Sequence, residues 1–219
     1  MPERSKPPSL IVSEVFCSLQ GEASRIGLLT VFVRLTGCPL RCSWCDTEHA
    51  FSGGQRQALP TILDQVASYG ARQVCVTGGE PLAQKNCLPL LTALCDAGYD
   101  VSLETSGALD IGGVDPRVAR IVDLKAPGSG ETTRNRWPNI ALLTMRDELK
   151  FVLADRADYE WAKQAIAEHR LDQRCPILFS PVQDTLSPRD LAEWIITDRL
   201  PVRFQLQLHM QLWGNMRGK

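Results

Sequence analysis

Short apolar runs rich in β-branched residues alternate along this chain with longer stretches in which apolar side chains return every three or four positions. That is the pattern of strands and amphipathic helices taken in turn. The runs predict strands over Leu10–Ser18, Thr30–Leu35, Gln73–Thr77, Asp100–Glu104, Arg120–Leu124, Glu148–Leu153, Pro176–Ser180 and Arg203–His209. Helices are predicted over Thr61–Tyr69, Cys87–Ala97, Tyr159–His169 and Arg189–Asp198. The last has a start signal in Ser187-Pro188-Arg189-Asp190: a capping hydroxyl, a proline at the first helical position and an acid three residues after the serine. In Arg203–His209, Phe204, Leu206 and Leu208 alternate with Gln205, Gln207 and His209, so a strand there has one apolar and one polar face. Strands alternating with helices imply an α/β fold, a mostly parallel sheet wrapped by helices.

In parallel α/β folds, residues just beyond the carboxyl ends of the strands converge on one site. Here those ends deliver Gln20-Gly21-Glu22, a cysteine-bearing loop, Gly78-Gly79-Glu80-Pro81, Glu104-Thr105-Ser106-Gly107, Lys125-Ala126-Pro127, Ser180-Pro181-Val182-Gln183 and His209. So many polar termini on one rim predict a partial, open TIM-like barrel with its site at the top. Residues 1–9, rich in proline, read as a flexible tail and residues 10–219 as a single domain. With 44% hydrophobic residues the chain can fill one core of that size. Gly128–Asn135 is the one long polar stretch and reads as a mobile loop near the rim, either a lid or slack.

Charge narrows the partners. There are 24 basic against 25 acidic residues, a formal net charge of -1, which argues against nucleic acid or an anionic membrane as partner and for a small molecule. The first eight residues are polar with no apolar signal core, and no apolar run is long enough to span a bilayer. The eight cysteines therefore fit a reducing cytoplasm better than a disulfide framework. Five of them, Cys17, Cys75, Cys87, Cys95 and Cys175, lie in apolar segments without ligand spacing and read as packing residues.

The other three stand close together as Cys38-x3-Cys42-x2-Cys45. A closed zinc site takes four ligands, usually as two pairs, and no partner pair exists elsewhere in the chain. Three thiolates around a cubane iron–sulfur cluster leave one iron without a protein ligand, open to a small molecule. Pro39, Arg41 and their polar neighbours mark the segment as a loop rather than a buried strand.

Cys-x3-Cys-x2-Cys followed by an aromatic-flanked turn resembles the cluster motif of radical S-adenosylmethionine enzymes. Within that superfamily, Leu19-Gln20-Gly21-Glu22, Phe32-Val33-Arg34 leading to Gly37-Cys38, Cys45-Asp46-Thr47, Glu104-Thr105-Ser106-Gly107 and Gln207-Leu208-His209 together resemble the 7-carboxy-7-deazaguanine synthase family over nearly the whole chain. The resemblance implies a lyase that contracts the ring of 6-carboxy-5,6,7,8-tetrahydropterin to 7-carboxy-7-deazaguanine with loss of ammonia, on the route to queuosine and related deazapurines. It implies a [4Fe-4S] cluster on Cys38, Cys42 and Cys45. S-adenosylmethionine on the open iron then supplies the radical, so no side chain alone is catalytic. Trp44, Cys45, Asp46, Gly79, Asp123, Leu124, Lys125, Ser180, Pro181, Val182 and Gln183 are implied to hold that cofactor, with Gly79 at its amino group. Leu19, Gln20, Gly21, Arg34 and Thr77 are implied to hold the pterin, with Glu22 and His209 as further candidates, and Thr47 to touch Mg2+. A flavodoxin- or ferredoxin-type electron donor and a homodimer follow from the same resemblance.

The residue types suit those roles. Arg34 offers a carboxylate a planar two-toothed partner, though an ion pair at a strand end is the alternative. Gln20 and Glu22 can read a donor-and-acceptor ring edge, Lys125 suits a carboxylate as a point charge, and Glu80 with the carbonyls of its turn offers a seat for an ammonium group. Trp44 is either a stacking wall or a loop residue packed down, and His209 either meets substrate or is a satisfied structural histidine. Residues 213–219 either close over the pocket or pack on a second subunit. One departure stands out: the family usually reads Gln-Gly-Glu-Gly, and this chain has Ala23 last. The competing readings are a glycyl-radical activating enzyme of the same superfamily and a non-catalytic zinc or iron–sulfur module. Arg34 and the Gln20–Glu22 turn favour a small anionic substrate.

Overall fold

A computed structural model describes residues 7–214 and 216–219. Nine strands form one open sheet: β1 (Ser9–Leu19), β2 (Leu29–Leu35), β3 (Gln55–Ala58), β4 (Gln73–Gly78), β5 (Asp100–Thr105), β6 (Ala119–Asp123), β7 (Glu148–Leu153), β8 (Ile177–Pro181) and β9 (Arg203–Phe204), in the order β3-β1-β2-β4-β5-β6-β7-β8-β9. β1 runs antiparallel to both β2 and β3, and from β2 to β9 every pairing is parallel. The helices are α1 (Leu59–Ser68), α2 (Cys87–Asp96), α3 (Arg156–His169), α4 (Pro188–Asp198) and α5 (Leu208–Trp213).

The central strands read as near-continuous apolar runs because both faces are covered. Val33, Val76, Leu103, Leu149, Phe151 and Phe179 meet Leu90, Leu91 and Leu94 of α2 and Tyr159 and Ile166 of α3 in one principal core. On the opposite side, Ala23, Ile121 and Leu178 form a small second cluster under the site. The Tyr159 hydroxyl is buried polar cargo and donates to Trp194 O and Asp198 Oδ2, tying α3 to α4. The α4 start signal works as read: Ser187 Oγ accepts from Asp190 N, with Pro188 in the first turn.

Three expectations are corrected. Residues 1–6 lie outside the described residues, but Ser9, assigned to the tail, opens β1 and pairs with Ala58. Its partner β3 is a polar strand with no apolar signature, held by backbone bonds at the sheet edge. The run Arg203–His209 is a strand only through Phe204. Gln205 N still bonds Phe179 O, but Leu208 N then donates to Gly21 O and the chain turns into α5 over the site. Alternation in sequence was overridden by a tertiary bond to a distant loop. Gly128–Asn135, finally, is pinned by hydrogen bonds rather than left slack. Two 3-10 turns carry it, Ser129 and Asn135 are buried, Gly128 N donates to Asp158 Oδ1 at 2.8 Å, and the Asn135 amide bonds both Lys125 N and Lys125 O. The polar groups of Gly128, Ser129 and Asn135 are paired within the protein, while Thr133 and Arg134 face solvent.

Candidate active site

A cavity of about 500 Å3 opens at the carboxyl ends of β2, β4, β5, β6 and β7, a size suited to a small ligand. One end of it is the cysteine loop. Gly37 N donates to Ala50 O at 2.8 Å and closes the loop on itself, while Leu40 plugs it into the interior. Arg41 stiffens it from outside, donating to Cys38 O and Leu40 O and lying over the Phe51 ring. The pinned 127–135 segment straps it down: Ser43 N donates to Ser129 O at 3.1 Å and Arg41 N to Glu131 Oε1.

Cys38, Cys42 and Cys45 are free, half-buried and line this cavity, and no other cysteine among the described residues does. No three His, Cys, Asp or Glu side chains among the described residues converge tightly enough for a single ion. Three thiols around a shared space suit three corners of a cubane cluster. Burial raises all three thiol pKa values, and the Lys125 ammonium pulls each the other way. That cation favours the thiolate a metal needs.

Gly79 sits directly beneath the loop. A Cβ there would lie 2.4 Å from Gly37 O and 2.8 Å from Cys38 Cβ, and Glu80 N donates to Gly37 O at 2.7 Å. Glu80 itself is spent. It is fully buried, outside the cavity lining, and accepts from Leu82 N, Thr105 Oγ1 and Ser106 N. The ammonium seat read into Glu80 is corrected on that ground: its oxygens fasten the turn to β5.

Of the other residues read as cofactor contacts, Trp44, Asp46, Asp123, Lys125, Val182 and Gln183 line the cavity. Lys125 Nζ lies 3.1 Å from Asp123 Oδ2, while Asp123 Oδ1 is buried and has no hydrogen-bond partner among the described residues. Leu124 points into the principal core, and Ser180 and Pro181 are buried outside the lining, the Ser180 hydroxyl without a partner among the described residues. Thr47 lines the cavity and donates to Asp46 Oδ1 at 2.7 Å.

All residues read as substrate contacts, Leu19, Gln20, Gly21, Glu22, Arg34, Thr77 and His209, line the same cavity. Arg34 is ion-paired, Nε to Glu14 Oε1 at 2.8 Å. That pair engages only Nε and leaves the terminal nitrogens of the fork for a ligand. Gln20 Nε2 and Thr77 Oγ1 both donate to Glu104, one to each oxygen, at 3.2 and 3.1 Å. The His209 ring lies on Gly21, where a Cβ would sit 2.2 Å from Nδ1. Lys219 also lines the cavity, so the chain's end returns to the site.

Sequence reasoning missed Lys150. It lies mid-strand in β7, ion-pairs with Glu22 Oε2 and stands 4.0 Å from Asp123 Oδ2. Burial alone would raise the Glu22 pKa, but Lys150 overcomes it and holds the carboxyl below its ordinary range; burial likewise opposes the Lys150 charge, and Glu22 and Asp123 keep its pKa well above that of a free lysine. The available signal was one lysine inside the otherwise apolar run Leu149–Leu153, where a solvated cation has no place.

A sequence profile described as the Radical SAM superfamily matches residues 32–171, from β2 to just past α3. A 7-carboxy-7-deazaguanine synthase from Chlorobaculum tepidum is 48% identical over 208 residues, covering 94% of each chain. One from Koribacter versatilis is 41% identical over 92% of this chain and 96% of its own. Among solved structures, QueE from Escherichia coli matches with a TM-score of 0.74 at 27% identity, covering 92% of this chain and 95% of that one. Identity at that level along the whole length, joined to an open parallel sheet with a three-cysteine loop at its rim, means that the chain belongs to the 7-carboxy-7-deazaguanine synthase family of the radical S-adenosylmethionine superfamily.

Proposed function

We propose that this chain contracts 6-carboxy-5,6,7,8-tetrahydropterin to 7-carboxy-7-deazaguanine with loss of ammonia, as a radical S-adenosylmethionine lyase. The observation that carries the reading is a single cavity with three cluster-ready thiols at one end and, at the other, a half-free guanidinium beside paired hydrogen-bonding side chains. When bound, the [4Fe-4S] cluster and S-adenosylmethionine supply the one-electron chemistry that removes a hydrogen atom from the substrate.

The chain's own residues place that hydrogen. Cys38, Cys42 and Cys45 would hold the cluster, and Gly79, which lets the cysteine loop close down on its turn, lines the cavity where the cofactor's amino group would sit. Lys125 meets its carboxylate, and Asp123, which lines the cavity beside it, meets a ribose hydroxyl. Trp44 and residues 180–183 form the remaining walls, with Leu124, Ser180 and Pro181 acting through backbone atoms. Arg34, steadied through Nε by Glu14, grips the pterin carboxylate. Leu19, Gln20, Gly21, Glu22, Thr77 and His209 read the ring edge, and Phe16 and Phe32, stacked 4.9 Å apart, keep water from that end. Fixing both ends of the pterin leaves one hydrogen facing the cofactor.

Thr47 and Asp46 present a hydroxyl and a carboxylate oxygen to the cavity, a donor set magnesium accepts when substrate and water complete its octahedron. Reduction needs a one-electron donor, of flavodoxin or ferredoxin type. We place the enzyme in the cytoplasm as a homodimer of single-domain chains. No helix of the described residues is long and apolar enough to cross a membrane, and the exposed Ile26, Leu28 and Leu29 between β1 and β2 offer apolar surface to a second copy. The test is turnover by anaerobically reconstituted protein given the carboxylated pterin, S-adenosylmethionine, Mg2+ and a low-potential reductant. Accumulation of 7-carboxy-7-deazaguanine is expected, and its absence from protein with full iron content rejects the reading.

A further inference from the structure

Lys150 has no part in the chemistry above, yet among the described residues it is the one buried lysine at the substrate end. β7 registers Lys150 opposite Asp123 of β6 and Leu178 of β8, which puts its side chain on the sheet face that lines the cavity. There it pairs with Glu22 Oε2, while Glu22 Oε1 accepts from Gln207 Nε2 at 2.6 Å. We propose, resting on the function above, that Lys150 is a positioning residue that holds Glu22 as an ionised acceptor and thereby selects ligands presenting an N–H edge, as the pyrimidine half of a pterin does.

The charges facing this pair come from every neighbouring strand. Glu104 of β5, Asp123 of β6 and Glu22 confront Lys150, with Lys125 beyond Asp123, and His209 of α5 faces Glu22 from above. Without Lys150, three carboxylates share one lysine, and the most buried of them is pushed toward the protonated form. An ionised carboxylate only accepts, whereas a protonated one carries an O–H donor. A site that turned from acceptor to donor would meet the N–H edge donor to donor, and an unpaired buried polar group is what makes such sites discriminate. The buried ion pair is tolerated because the Gln207 amide satisfies the outer Glu22 oxygen and the Asp123 charge stands 4.0 Å from Lys150.

The experiment is fluorescence titration of cluster-loaded protein with pterin-6-carboxylate across pH 5 to 9, with S-adenosylmethionine affinity measured alongside. For Lys150→Met, an acidic limb that lies below the measured range in the wild type is expected to move up into it, weakening pterin binding about tenfold or more at pH 5 relative to pH 9, because burial is left to raise the Glu22 carboxyl without its cation. S-adenosylmethionine affinity should stay within about threefold. Lys150→Arg, which keeps the charge, should leave the limb in place, and the upward shift should persist when Lys150→Met is combined with His209→Asn. If Lys150→Met does not fold, Glu22→Gln combined with Lys150→Met removes both charges and should bind weakly with no acidic limb. An unmoved limb and unchanged pterin affinity in folded Lys150→Met overturns the inference, as does an equal loss of S-adenosylmethionine affinity. Failure of the wild type to turn over the pterin rejects the function instead, so the two outcomes are separable.

Discussion

At Gly79 one absent carbon sets the distance between two loops. The Cβ of an alanine would meet Gly37 O at 2.4 Å, and the obstacle is backbone already bonded to Glu80 N. Neither partner is a flexible side chain that can swing away, so the cysteine loop itself must shift. Gly79→Ala is expected to fold, because the clash lies at the rim and not in the core. It should lose about tenfold or more in S-adenosylmethionine affinity, since a displacement near 1 Å suffices to disable such a site. Calorimetric titration of reconstituted protein checks this, and wild-type affinity in the variant would show that the loops have slack. Gly79, Arg34 and the three cysteines were legible because each stands at or just past a strand's carboxyl end or belongs to a tight local spacing. The Glu22–Lys150 pair spans 128 residues, and no local pattern announces a partner at that range. Glu80 misled for the same reason: its chemistry invited a ligand, but Thr105 and Ser106 had already claimed it.

Between β1 and β2, the connection turns at Ala23, with φ of 63° in the left-handed region and a buried side chain. Glycine would adopt that conformation without cost, whereas alanine carries about 1 kcal/mol of strain. Two features offset it. The methyl group packs with Ile121 and Leu178, and the Gln205 amide grips both Ala23 N, at 2.7 Å, and Ala23 O, at 3.0 Å. Ala23→Gly therefore trades relieved strain against roughly 0.8 kcal/mol of lost methyl burial, and its melting temperature should match the wild type within a degree or two. Gln205→Ala leaves two buried backbone groups unpaired, worth about 2–4 kcal/mol, and should lower melting by roughly 5–10 °C. Scanning calorimetry on both variants decides; a Gln205→Ala protein as stable as wild type would mean water replaces the amide. This clamp also explains which elements were legible. The strands buried on both faces showed in the sequence because their apolar runs do not depend on a particular partner. β3, the end of β9 and α5 did not, since a polar edge pairing, Gln205 on Ala23 and Leu208 N on Gly21 O fix them from far along the chain.

Across the whole molecule, the buried ionisable groups divide by sign, and that division sets how stability varies with pH. Glu22 and Asp147 are carboxyls whose pKa would be raised by burial but is held down by Lys150 and Arg120, respectively. A depressed carboxyl adds stability that is complete above its unfolded value, near 4, and is lost as pH falls through the folded value. The buried thiols act at the other end. Burial raises Cys75, and pushes Cys87 and Cys175 to about 12. A raised thiol pKa gives stability that is complete below the unfolded value, near 8.5, and erodes above it, because the unfolded chain gains by ionising while the folded one cannot. Lys125 and Lys150, also raised, hold until well beyond that point. Iron-free protein should therefore melt at a constant temperature between about pH 5 and 8 and lower on both sides. The alkaline fall has a separable cause: combining Cys87→Ala with Cys175→Ala should flatten the slope above about pH 8.5 while leaving the acidic limb unchanged. Melting curves at fixed ionic strength test it, and an alkaline limb equally steep in the double variant would move the cause from the buried thiols to groups at the surface.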